Sequence, residues 1–250
     1  VKNMRVVFLF IPILLFLTLV SASVIEIEVK MELKGNISAL FYNISNGVFR
    51  VNPEFYNTGS VAYKARARLD ILNSTDIIFT GWGKEETLMP GERKDFEIYW
   101  FSPEKVKNLT ARLRIYYGRE VFDREIPIDM KTPKASEDLF QVKNFRTYDD
   151  YIRFEIRSNI NLNEVLIIPK DYIQGWVFEQ GKVKNLESNR NIEVTIKYEP
   201  TVWFSHKMKL LIVTADGKYY SVKQFQLEKE SGLMKYINYV IDKLSLLLNL

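Results

Sequence analysis

The chain has 250 residues, 47% apolar and 26% charged, which excludes wholesale disorder and leaves room for two domains of ordinary size. Net charge is +4, and the 35 Lys and Arg are spread along the chain instead of gathered into a tract, so nucleic acid is not an expected partner. Cys is absent, so no disulfide supports the fold, and an aromatic content of 14%, mostly Tyr and Phe, favours strands over helices.

At the N-terminus, Lys2 and Arg5 precede an apolar run from Val6 to Val20, followed by the small residues Ser21, Ala22 and Ser23. This is the three-part order of a secretory signal, and it predicts a signal peptide over 1–22 and an extracytoplasmic, secreted or envelope-associated protein. An uncleaved anchor is the alternative, although the run of about 15 residues falls short of the roughly 20 that span a bilayer. Pro12 also interrupts it.

Strict alternation begins at Ile25, with Ile27, Val29, Met31 and Leu33 on one face and Glu26, Glu28, Lys30, Glu32 and Lys34 on the other. That is the pattern of a half-buried strand. It returns at Phe49, Val51 and Phe55, at Ala65 to Ile71, at Phe96 to Trp100 and at Leu109 to Tyr117, with turn residues at Asn57-Thr58-Gly59, Gly81-Trp82-Gly83, Met89-Pro90-Gly91 and Tyr117-Gly118. Short strands with regular breaks predict an immunoglobulin-like sandwich over 24–130. Four Asn-x-Ser/Thr triplets, at Asn36, Asn43, Asn73 and Asn108, are candidate glycosylation sites on this half.

Polar, unpatterned residues at 131–138 read as a linker. Alternation resumes at Ile152, Phe154 and Ile156, then at Val165 and Ile167, Ile192 to Ile196, Met208 to Val213, and Tyr220 and Val222, which predicts a second sandwich over 139–229 with an Asp216-Gly217 hairpin. Gly81-Trp82, Leu88, Phe96-x-Ile98 and Leu113 recur as Gly175-Trp176, Leu186, Ile192-x-Val194 and Leu211, which points to two copies of one architecture.

From Ser231 the pattern becomes helical: Lys235, Asn238, Asp242, Ser245 and Asn249 form a narrow polar stripe. Leu233, Ile237, Val240, Ile241, Leu244, Leu247 and Leu248 lie on the wide apolar remainder, so an amphipathic helix over 231–250 is expected. Asp242 and Lys243 cost about 2.5 to 3.5 kcal/mol each near a membrane centre, which makes a span unfavourable. The helix is expected to attach the protein to a membrane surface or an envelope subunit, or to fold back on its own domain. The fold class is therefore all-β, two tandem immunoglobulin-like sandwiches with a signal helix before them and an amphipathic helix after.

The segment Val48 to Trp100 carries Phe49-x-Val51, Asn57-Thr58-Gly59-Ser60-Val61-Ala62, Leu88-Met89-Pro90-Gly91-Glu92 and Phe96-x-Ile98-x-Trp100. It resembles the cell-adhesion-related (CARDB-like) immunoglobulin-like domains of secreted prokaryotic proteins. The resemblance implies a spacer or binding module, with Asn-x-Gly and Pro-Gly-Glu closing turns. Gly59 and Gly91 suit turn positions of positive φ.

No catalytic, metal or cofactor constellation stands out. His206 is the sole histidine, and Asp149, Asp150 and Asp216 read as turn carboxylates. The chain is thus expected to be no enzyme and to need no cofactor; a glycosidase would require two acids about 5 to 10 Å apart across one cleft. Trp82, Trp176 and Trp203, each near a turn, are candidate stacking residues for sugar rings, with core packing as the alternative. A polysaccharide is accordingly the alternative partner. Lys64, Arg66 and Arg68 share one strand face and Arg112 and Arg114 another, so pairing of those strands would make a basic stripe.

Overall fold

The computed structural model describes residues 31–104, 106, 108–130, 134–137, 139–201 and 205–228. The expected signal peptide, most of the strand from Ile25 and the expected C-terminal helix lie outside these residues. The protein is all-β, with no helix among the described residues and hence none there long and apolar enough to cross a membrane. The described residues from Glu32 to Glu228 belong to one compact unit.

The first half contributes β1 (Gly35–Ser45), β2 (Val48–Asn57), β3 (Tyr63–Asn73), β4 (Asp76–Leu88), β5 (Arg93–Asp95), β6 (Ile98–Phe101), β7 (Leu109–Tyr117) and β8 (Glu120–Ile128). One sheet pairs β1 with β2 and β2 with both β5 and β6, and the other runs β4-β3-β7-β8. Alternation sends Phe49, Val51 and Phe55 from the first sheet and Ala65, Ala67, Leu69, Leu113 and Ile115 from the second into one core. Phe55 meets Phe96 and Tyr117 there, at ring distances of 6.5 and 5.0 Å.

The second half contributes β9 (Ser136–Glu137), β10 (Phe140–Thr147), β11 (Tyr151–Ser158), β12 (Leu162–Lys170), β13 (Val177–Phe178), β14 (Gly181–Leu186), β15 (Ile192–Glu199), β16 (His206–Thr214) and β17 (Tyr219–Leu227). Its sheets run β10-β11-β15-β13 and β14-β12-β16-β17-β9. The strand order of the first half is repeated: β1-β2-β6 corresponds to β10-β11-β15, and β4-β3-β7-β8 to β14-β12-β16-β17. Leu88 and Leu186 end corresponding strands, and Leu113 and Leu211 lie within corresponding strands. Gly81-Trp82 and Gly175-Trp176 do not correspond, since the first lies within β4 and the second precedes β13.

The two halves share a seam. Val165, Ile167, Leu210 and Ile212 face the core of the second half, whereas Leu166, Ile168, Leu211 and Val213, on the opposite face of β12 and β16, belong to the core of the first. A sheet covered on both faces reads as a continuous apolar run, which is how Val165 to Ile168 and Leu210 to Val213 stand in the sequence. The 131–138 segment is no free tether in its described part. Lys134 N–H donates to Asn46 Oδ1 at 2.7 Å, and Ser136–Glu137 pairs in parallel with β17.

Polar contacts register the seam. The Gln180 carboxamide, 7% exposed, accepts from Tyr99 N–H and donates to Tyr99 C=O, both at 2.7 Å, and so takes the place of a strand beside β6. Its backbone N–H donates to Trp82 C=O at 3.1 Å, next to a single parallel bridge from Trp82 to Glu179. A Cβ on Gly81 would fall 2.7 Å from the Gln180 amide nitrogen, so a larger residue would evict it. Arg50 lies 3.4 Å from Glu97 and 3.2 Å from Glu164, and Lys182 bridges the same two carboxylates, giving two positive and two negative groups.

The turn motifs meet around Asn57, which is fully buried. Its side-chain amide donates to Val61 C=O at 2.9 Å and Leu88 C=O at 3.1 Å, and its oxygen accepts from Gly59 N–H at 2.9 Å. Gly91 N–H donates to Asn57 C=O. Gly91 has the expected positive φ of 78°. Gly59 does not; it is required by close approach, because a Cβ would fall 2.2 Å from the Glu32 carbonyl oxygen.

Candidate functional site

The outer face of β3 and β7 carries the expected basic row, with Arg68 opposite Arg114 and Asp70 opposite Arg112. The row is neutralised from within. Fully buried Asp70 accepts from Arg68 Nε at 2.9 Å, from the Thr80 hydroxyl at 2.6 Å and from Arg114. Arg112 pairs with Asp123, Lys64 with Glu85 at 2.6 Å, and Arg66 donates to Glu199 at 2.9 Å. The Arg66 hydrogen bond and charge hold the Glu199 pKa below its ordinary value. A carboxylate sharing two guanidiniums spends their donors on the fold, leaving less for an acidic ligand.

Beside this row the seam opens into a cleft of about 480 Å³. One wall is β4, with Ile77 and Ile78 51% and 43% exposed, Thr80 and half-buried Trp82; the other is Lys170, Asp171, Tyr172, Gln174 and Gly175. Ile77 and Ile78 follow the β3–β4 turn, where the ladder slips between Ile71 and Leu72. The Arg68 guanidinium stands 5.2 Å from the Trp82 ring and Tyr116 5.7 Å from it. Tyr172 donates its hydroxyl to Thr80 C=O at 2.8 Å, and burial pushes its pKa up, so it is a neutral donor fastening the two walls. Asp171 is held by Lys209 at 2.7 Å, and its carbonyl lies 3.1 Å from His206 Nε2. Indole, guanidinium, carboxylate and carboxamide groups in one cleft can combine ring stacking with hydrogen bonds to a polar ligand.

The structure brings Trp82 and Trp176 to this cleft but separates their roles. Trp176 is 1% exposed, stacked on Tyr198 at 5.8 Å and Phe178 at 6.2 Å. It is therefore corrected from a stacking platform to a core plug beneath the cleft, because a ring already sandwiched in the core offers no face to a sugar. Trp203 lies outside the described residues, as do Leu233, Ile237, Val240, Ile241, Leu244, Leu247 and Leu248. All four candidate glycosylation residues are exposed: Asn36 and Asn43 on β1, Asn73 ending β3, and Asn108 just before β7. Asp149 and Asp150 stand in the β10–β11 turn. Asp216 stands in the β16–β17 turn, where it accepts from Thr214 and from Lys218 N–H.

Gln180, Arg50, Glu97, Glu164 and Lys182 gave no signal in the sequence, since each is an ordinary polar residue until the other half arrives. Ile77-Ile78 did carry one: adjacent isoleucines break the alternation of a half-buried strand.

No family model matches the chain, and no curated protein does. Among solved structures it is similar to a red sea bream transglutaminase, at 11% identity over 80% of this chain and 31% of that one, with a TM-score of 0.27. It is also similar to CBD12 from CALX1.2, at 13% identity over 69% of this chain and 77% of that one, with a TM-score of 0.22. The chain thus spans about a third of the transglutaminase's length, and both superpositions are too loose to carry an argument from either name.

Proposed function

We propose that the chain is an exported, non-enzymatic cell-envelope protein in which two immunoglobulin-like sandwiches form one binding or scaffolding body. The observation that carries this reading is the seam: a repeated strand order whose halves share the β12–β16 layer makes a stiff pair instead of two tethered beads. Two facing sheets of mostly antiparallel strands in each half fit an immunoglobulin-like module, in keeping with the resemblance of Val48 to Trp100 to cell-adhesion-related domains. A stiff pair holds whatever it binds at a fixed distance from its point of attachment.

Export rests on Lys2, Arg5 and the run Val6 to Val20, and attachment to a membrane surface or envelope subunit on the amphipathic order from Leu233 to Leu248. Fractionating cells that express the full chain or a chain ending at Glu230 tests this. The full chain should stay with the envelope through a carbonate wash and the shortened one should be released; retention of both overturns the attachment.

A polysaccharide ligand is a second reading, favoured by half-buried Trp82 standing among Arg68, Asp171 and Gln174 in the cleft. Affinity electrophoresis through gels containing soluble cell-wall polysaccharide should retard the protein, and Trp82→Ala should abolish the retardation. Equal mobility with and without polysaccharide removes this reading.

A further inference from the structure

Strand β1 ends its sheet, and among the described residues its only ladder is with β2. A strand edge of this length is a template for another strand, and proteins ordinarily blunt such edges with charges, Pro or short length. The other long edges are blunted in this way: β4 carries Asp76, Lys84, Glu85 and Glu86, β8 carries Glu120, Asp123, Arg124, Glu125 and Pro127, β10 carries Lys143 and Arg146, and β14 carries Lys182 and Lys184. Over its eleven residues, Gly35 to Ser45, β1 contains no Asp, Glu, Lys or Arg.

The same edge is apolar on both faces. Tyr42 lies opposite Val51, on the face that elsewhere points into the core, and is nonetheless 53% exposed; Phe41, on the other face opposite Asn52, is 65% exposed. Tyr42 touches Phe49 at a ring distance of 6.4 Å, so the first core runs out to the edge and stops there uncovered.

We propose that β1 pairs antiparallel with β1 of a second copy of this chain about a two-fold axis, joining two sheets into one. The charge pattern selects this occupant. Two-fold pairing sets a strand against its own reverse, so a charged strand opposes like charges, whereas β1 meets only Asn, Ser and apolar side chains. The added strand would cover Phe41 and Tyr42 and satisfy the open backbone groups. Asn36 and Asn43 lie on this strand, so a glycan on either would block the pairing. The inference stands on the fold and does not need the envelope reading.

The test is sedimentation equilibrium of the full chain made without glycans, compared with Phe41→Lys/Asn43→Lys and with the control Val121→Lys on the edge of β8. Wild type and control should sediment as two copies, and the double variant at half that mass with an unchanged far-ultraviolet spectrum and melting temperature. A single-copy wild type, or a double variant that keeps the two-copy mass, overturns the proposal; the latter places association elsewhere. Because the chain has no Cys, Ala39→Cys, Phe41→Cys and Asn43→Cys report the axis directly. Oxidative cross-linking should peak at one of these positions and fall away from it, and its absence at all three overturns the proposal independently of any effect of lysine on folding.

Discussion

Two Ile-Ile pairs in this molecule have opposite fates. Ile167-Ile168 in β12 is fully buried, one residue in each core, while Ile77-Ile78 in β4 is exposed on both sides. Both sit in strands and both break the alternation of a one-sided sheet. What separates them is a second layer. The β12–β16 sheet lies between two cores, whereas the start of β4 stands beside a turn at the mouth of a cleft. Consecutive apolar residues thus announce that both faces of a strand are apolar, and the tertiary structure decides whether both are covered.

Removing a covered residue should have the largest effect. Leu211→Ala leaves a cavity at the seam and should cost about 2–5 kcal/mol of stability. Denaturation followed by circular dichroism and by tryptophan fluorescence should still give one coincident transition, since Leu211 sits on the sheet common to both halves. Two separate transitions would show the halves to be independent.

Gln180→Ala comes next. It strips partners from the buried Tyr99 N–H and C=O, and each orphaned group costs about 1–3 kcal/mol. The same denaturation curves measure the loss, and Gln180→Glu, which keeps the acceptor but not the donor, should fall between Ala and wild type.

A smaller effect is expected from acid. Burial pushes the Glu97 pKa up, but the hydrogen bond from Lys182 and the charges of Lys182 and Arg50 outweigh it, so the folded value lies under the ordinary 4.5. A depressed carboxylate adds stability that is fully present above 4.5 and is lost as pH falls through the folded value. The melting temperature should therefore drop as pH falls below 4.5, and Glu97→Gln should flatten that part of the profile while lowering stability at neutral pH.

Ile77→Ser should change stability least, within about 0.5 kcal/mol, because the residue is 51% exposed and fills no core. A loss comparable to that of Leu211→Ala would mean that the cleft closes in solution and would undo the contrast between the two Ile-Ile pairs.

Strand placement was largely legible. Alternation at Ala65 to Ile71, Leu109 to Tyr117, Ile152 to Ile156 and Ile192 to Ile196 marked β3, β7, β11 and β15 and their core faces correctly. Strands β1 and β8 were not anticipated, since Gly35 to Ser45 has no clean alternation and Glu120 to Ile128 is mostly charged. Of the cleft, Trp82 and Trp176 both stood out in the sequence, but not which of them is buried, because a Gly-Trp pair reads the same whether the indole lines a cleft or stacks on Tyr198.

By itself the amino-acid order determined the all-β class, the faces of most strands and the Asn57 and Gly91 turns, because side-chain alternation and turn chemistry are local properties of the backbone. Only the tertiary structure decided that 134–137 is tied down, that the basic row is neutralised by Asp70, Asp123, Glu85 and Glu199, and that Gln180 serves as a strand for Tyr99. Those outcomes depend on residues 81 to 133 positions apart meeting across the seam, on Asp70 and Arg114 meeting within one sheet at a separation of 44, or on neighbouring strands falling into register, and no local pattern records which partner a buried polar group will find.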